Sequence, residues 1–124
     1  MARLFLIGCG GFVGSVARYT ISGLWLPWAG GGFPWGTLLV NVSGSLLIGA
    51  LMAAAVDRGW LSLDLRLALV AGFCGGFTTM SSFSFETWGL IEQGQFGLAA
   101  SYVGASFILC VLATASGVAL IRLM

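Results

Sequence analysis

The sequence predicts an all-helical integral membrane protein that crosses the bilayer four times. Three observations carry that prediction. Only 7% of its 124 residues are charged and 59% are hydrophobic, whereas a soluble domain devotes about 25% of its residues to charge. Too few charges are available to clothe a water-facing surface, and the composition suits a chain whose solvent is lipid. Four apolar runs follow one another, each as long as the roughly 20 residues a helix needs to cross the hydrocarbon layer. The stretches between them carry turn chemistry.

The first run extends from Leu4 to Leu26. Arg3 precedes it directly, but the run outlasts a signal-peptide core and lacks a cleavage site, so it is expected to be the first span. Residues Pro27 to Pro34 include Gly30, Gly31 and Gly32, a composition that cannot hold a helix. The second run extends from Trp35 to Val56 and stops at Asp57-Arg58-Gly59. The third extends from Leu65 to Ile91, with Asp64 placed to cap it. Glu92-Gln93-Gly94 separates it from the fourth, Phe96 to Leu123. Four spans put Arg3, Arg58, Arg66 and Arg122 on one side, against Glu92 and the deeper Arg18 on the other. The bias leans towards a cytoplasmic N-terminus, and it is small enough to leave insertion in both directions open.

Several function classes are excluded. A net charge of +1 with no basic patch argues against a nucleic-acid partner. Histidine is absent, and Cys9, Cys74 and Cys110 sit singly in apolar stretches, so no zinc-type site is expected. No nucleophile–base pair or carboxylate pair is present, and an enzyme is not expected.

Polar residues inside the apolar runs are the functional candidates. In the first span Gly10, Gly14 and Arg18 recur every four residues and share a face. Small residues there allow close helix packing in lipid. Arg18 lies about 22 Å along the helix from Arg3. With Glu86 of the third span it is expected near the same membrane face, either lining an anion-attracting vestibule or forming a structural ion pair. Asn41 places an amide in the second span, as interhelical glue or as a donor to an anion. The third span reads Gly72-Phe73-Cys74-Gly75-Gly76-Phe77-Thr78-Thr79-Met80-Ser81-Ser82-Phe83-Ser84-Phe85-Glu86-Thr87. Paired glycines followed by hydroxyl residues make a poor regular helix. A break is expected there at mid-membrane, which lipid tolerates only where the backbone lines a cavity or binds something. Freed carbonyls at such a break can hold a cation. In the fourth span Tyr102, Ser106, Cys110 and Thr114 recur every four residues, either as a path for a small hydrogen-bond acceptor or as a packing face.

These blocks resemble the Fluc (CrcB-type) fluoride channels. The matching stretches are Gly10-Gly11-x-x-Gly14-x-x-x-Arg18-Tyr19, Gly36-Thr37-Leu38-x-x-Asn41-x-x-Gly44, the third-span block from Gly72 to Glu86, and Tyr102 with its polar stripe. They come in order and cover nearly the whole chain. The resemblance implies an antiparallel, dual-topology homodimer in a bacterial inner membrane, with two fluoride pores that let the toxic ion leave passively. It also implies a structural Na⁺ at the dimer interface, held by the backbone carbonyls of Gly75 and Thr78. The pore residues it implies are Asn41, Phe83, Tyr102, Ser106, Cys110 and Thr114, with Met80 and Ser82 from the same third-span block. Met80 stands where the family usually has Phe, and Cys110 where it usually has Ser.

Two other classes compete. A small multidrug exporter, also four-spanning, would need a carboxylate buried in the first helix, and that helix has none. A structural membrane subunit would account for the packing glycines but not for a hydroxyl-rich break.

Overall fold

The computed structural model describes residues 1–25 and 32–124; Leu26 and most of the predicted Pro27–Pro34 connection lie outside the described residues. All regular structure among the described residues is helical. Helix α1 spans Ala2–Trp25, α2 Trp35–Val56, α3 Leu63–Arg66, α4 Gly75–Phe77, α5 Met80–Glu92 and α6 Phe96–Leu123. A π-helical stretch, Leu67–Cys74, joins α3 to α4 without interruption. Four segments are thus long and apolar enough to cross a membrane, with α3 to α5 making the third.

The third segment departs most from a uniform helix. Its first half is wound wider than an α-helix over Leu67–Cys74, a form found mostly as short bulges at functional sites. The backbone then turns extended at Thr78 (φ −78°, ψ 156°) and Thr79 (φ −148°, ψ 112°). Thr79 restarts the helix as the N-cap of α5, its hydroxyl accepting from the Ser82 amide at 3.2 Å. At the segment's start the cap is Ser62, accepting from the Leu65 amide at 3.3 Å. Asp64, expected to cap, instead lies in the first turn and pairs with Arg3 at 2.9 Å, because capping needs the non-helical backbone that Ser62 has and Asp64 lacks.

Two glycine seams bring backbones together. A methyl group on Gly10 would collide with the Ala68 carbonyl, and one on Gly14 with the Phe73 carbonyl. From the other side, Gly72 and Gly76 face the backbone of Ile7 to Gly11. The α2–α6 pair uses the same device: Gly49 faces the Thr114 carbonyl and Gly117 the Leu46 carbonyl. Without a hydrophobic force between helices in lipid, such close contact is how they cohere. The buried cluster of Leu38, Leu90, Ala99 and Tyr102 joins α2, α5 and α6 at one end. At the other end Arg122 pairs with Asp57 at 2.6 Å, and Arg58 donates to the Ile121 and Arg122 carbonyls, satisfying the last turn of α6.

Candidate functional site

A cavity of about 630 Å³ opens between α2, the third segment and α6. Asn41 lines it from α2, Met80 and Phe83 from α5, and Ser106 and Cys110 from α6. Gly75, Thr78 and Thr79, at the interruption of the third segment, complete one wall. Among the described residues no charged side chain lines it. Apolar residues such as Ile48, Val70 and Phe107 supply most of the rest, so any ion inside must be met by the few polar groups present.

Asn41 is fixed by the interrupted backbone. Its Oδ1 accepts from the Thr79 amide at 2.8 Å and its Nδ2 donates to the Thr79 carbonyl at 3.2 Å. The amide orientation follows from this pairing, because the Thr79 N–H can only donate. An amide nitrogen carries two N–H bonds, so one remains beyond the bond to Thr79. Asn41 therefore holds the break and lines the cavity at once.

Ser106 is 7% exposed, and its hydroxyl has no hydrogen-bond partner among the described residues. Serine hydroxyls in lipid commonly bond to their own helix. Thr114 does so, donating to the Cys110 carbonyl at 3.0 Å, and it does not line the cavity. Ser82 is likewise turned away: its hydroxyl accepts from the Thr79 hydroxyl at 3.0 Å. The structure thus brings together Asn41, Met80, Phe83, Ser106 and Cys110, and leaves Ser82, Tyr102 and Thr114 outside the cavity wall.

A second cavity of about 440 Å³ lies at the start of α2 and the end of α5, lined by Ser22, Thr37, Glu86 and Gln93 among others. Tyr102 lines neither cavity and is fully buried. Its ring lies 5.1 Å from that of Phe83, and its hydroxyl donates to Glu86 Oε2 at 2.7 Å. Thr37 donates to Glu86 Oε1, also at 2.7 Å. Of the two roles open to Arg18 and Glu86, a mutual ion pair does not form. Arg18 packs towards α4, where its Nε donates to the Gly76 carbonyl at 3.2 Å, beside Ser15 at 3.4 Å. Glu86 faces α2 and α6, whose hydroxyls already occupy both its oxygens. Among the described residues the ion pairs lie only at the helix ends.

Sequence reasoning passed over Thr37 and Ser45. The signal was available: Thr37, Asn41 and Ser45 recur every four residues on α2, as Tyr102, Ser106 and Cys110 do on α6. Thr37 reaches Glu86, and Ser45 lines the larger cavity.

The carbonyls of the interruption are also distinctive. The Thr78 amide and hydroxyl both turn back to the Cys74 carbonyl, at 3.0 and 2.9 Å. The Thr79 amide goes to Asn41 rather than to Gly75. The Ser82 amide goes to the Thr79 hydroxyl rather than to the Thr78 carbonyl. Gly75 and Thr78 are left with carbonyl oxygens outside the helical ladder.

Comparison with known proteins adds an independent line. A family profile described as CrcB-like protein, Camphor Resistance (CrcB), matches residues 5–118. The fluoride-specific ion channel FluC of Geobacter sulfurreducens is 48% identical over 118 residues, covering 95% of each chain. That of Anaeromyxobacter sp. (strain K) is 48% identical over 122 residues, 98% of this chain and 97% of its own. That of Agrobacterium fabrum is 46% identical over 123 residues, 98% of each. With a profile match and relatives of this identity spanning nearly its whole length, the chain belongs to the CrcB-like family.

Proposed function

We propose that the chain is a fluoride-specific ion channel, a multi-pass protein of a bacterial inner membrane that lets fluoride pass down its gradient without catalysing a reaction. The observation that carries this reading is a cavity that no carboxylate among the described residues lines, with Ser106, whose buried hydroxyl has no partner among those residues, in its wall. A buried hydroxyl without a partner costs about 1–3 kcal/mol, and a small anion that only accepts hydrogen bonds removes that cost. Fluoride must shed tightly held water to enter, which is expensive unless donors replace it. The free N–H of Asn41, the Ser106 hydroxyl and the Cys110 thiol are donors, and the Phe83 ring edge presents positive partial charge. The Tyr102 hydroxyl and Glu86 stand at the far end of this line.

The working unit in this reading is an antiparallel, dual-topology homodimer with two pores. A small charge bias is consistent with insertion in both orientations. The Gly75 and Thr78 carbonyls fit a structural Na⁺ at the axis of such a dimer: they are hard oxygen donors without helical partners, and two copies would offer four of them. The ion would supply positive charge and satisfy backbone groups that lipid leaves costly. Met80, Ser82 and Thr114 belong to the pore in this reading through the family motifs; Ser82 and Thr114 are turned to protein partners in the single chain.

Purified protein in liposomes loaded with potassium fluoride, read with a fluoride-selective electrode, tests the function. Fluoride should leave on opening a potassium pathway, and chloride should not. Release no faster than from protein-free liposomes rejects the channel. Labelling of single cysteines placed at each terminus, from outside intact cells, tests dual topology; a functional population labelled in one orientation only rejects it.

A further inference from the structure

We infer that Arg18 is a positioning residue for the anion path: bonded to the Gly76 carbonyl, it holds the interruption of the third segment from the α1 side, as Asn41 holds it from α2; this rests on the channel reading above. In an unbroken helix the Gly76 carbonyl would accept from the Met80 amide, four residues on. Here α4 ends at Phe77, Thr78 and Thr79 are extended, and Met80 opens α5, so that bond does not close. Lipid offers no replacement donor. Two side chains of α1 supply one: Arg18 Nε donates to the Gly76 carbonyl at 3.2 Å and Ser15 Oγ at 3.4 Å. The charged donor makes the shorter bond of the two, and bonds from charged donors are the stronger kind.

The short α4 turn thus has two sides. Gly76 packs on the Gly11 backbone, and Gly11, Ser15 and Arg18 share one face of α1. Gly75, Thr78 and Thr79 line the larger cavity, and Gly76 does not. Thr79 is tied in turn to Asn41 through its amide and its carbonyl. The stretch from Gly76 to Thr79 is therefore pinned at one end to α1 and at the other to α2. Release at Gly76 loosens the backbone that orients Asn41, whose second N–H the channel reading gives to fluoride. Arg18 acts on the path through that backbone and does not itself meet the anion. What the role needs is a donor at the place of Nε, not the charge. Glutamine carries Nε2 the same number of bonds from Cα as arginine carries Nε, so Arg18→Gln keeps the donor and drops the charge. Arg18→Met keeps the length and drops both.

The test compares the full-length native protein, Arg18→Gln and Arg18→Met by two readouts. One is fluoride efflux from liposomes per folded protein. The other is backbone hydrogen exchange, read by mass spectrometry on peptides covering residues 75–83. In Arg18→Met, exchange at the interruption should speed up about tenfold or more, the worth of one hydrogen bond from a charged donor, and efflux should fall. Arg18→Gln should stay closer to the native protein than to Arg18→Met on both readouts. Equal loss of efflux in the two variants overturns the inference, because the charge and not the bond then matters. Native exchange or native efflux in Arg18→Met overturns it too. Should Arg18→Met not fold, Arg18→Gln decides alone: native efflux supports the role, and lost efflux in the folded protein overturns it. Should the native protein release no fluoride, the channel reading fails separately. Exchange then decides: faster opening in Arg18→Met than in Arg18→Gln supports the hold on the interruption, and equal exchange overturns it.

Discussion

Replacing Asn41 should damage stability as well as conduction, and the structure sets the scale. Asn41 makes two hydrogen bonds to one residue, accepting from the Thr79 amide at 2.8 Å and donating to the Thr79 carbonyl at 3.2 Å. Thr79 is extended, so its amide has no helical partner to fall back on. Asn41→Ala leaves both groups unpaired at about 1–3 kcal/mol each, a loss of about 2–6 kcal/mol; partial burial of the pair favours the lower half of that range. Asn41→Asp keeps the acceptor for the Thr79 amide and loses the donor to the carbonyl, a cost of about 1–3 kcal/mol. It also sets two oxygens against each other and adds a charge that repels anions. The order of stability should therefore be native, Asp, then Ala, with fluoride flux lost in both variants. Equilibrium unfolding in detergent gives the stabilities, and efflux from liposomes gives the flux. An alanine variant within about 0.5 kcal/mol of the native protein, less than one unpaired group is worth, would refute the reasoning that this side chain holds the break.

Other perturbations separate close packing from polar contacts. Gly14→Ala should destabilise by about 1–3 kcal/mol or more, since the added methyl meets the Phe73 backbone rather than a movable side chain; Gly8→Ala, with open space around it, should be tolerated, and equal unfolding midpoints for the two would contradict the glycine seam. Tyr102→Phe removes one of the two hydroxyls held by Glu86 while keeping the ring between Phe33 and Phe83, so it should lower fluoride flux and cost about 1 kcal/mol; a native rate would take Tyr102 off the path. Arg58→Ala exposes the last carbonyls of α6 and should cost more than Asp57→Ala, which breaks only a part-exposed ion pair worth about 0–1 kcal/mol; the reverse order in thermal unfolding would count against the cap. Complete removal of sodium should loosen the dimer and reduce flux, and Gly75→Ala should be harder to tolerate than side-chain changes at Thr78; unchanged stability and flux without sodium would leave the Gly75 and Thr78 carbonyls with no ion to hold.

Much of the architecture is local information, and local information is legible. Run length and charge density mark four spans because lipid demands about 20 apolar residues from any crossing helix. The same holds for side chains sharing a helix face, since spacing of four along one helix is a covalent fact. Gly10, Gly14 and Arg18 could be placed together for that reason, and they do face one neighbour. Which neighbouring group each meets was not legible. Arg18 reaches the Gly76 carbonyl 58 residues away, and Asn41 reaches Thr79 across 38 residues. Only packing of the helices decides such pairs. The same packing buries the Ser106 hydroxyl without a partner among the described residues, while the Thr114 hydroxyl closes on its own helix. The two residues sit on one stripe in the sequence. The bond of Thr114 to the carbonyl four residues back is open to any serine or threonine in a helix, whereas the place of Ser106 in the cavity wall exists only once the neighbouring helices have packed.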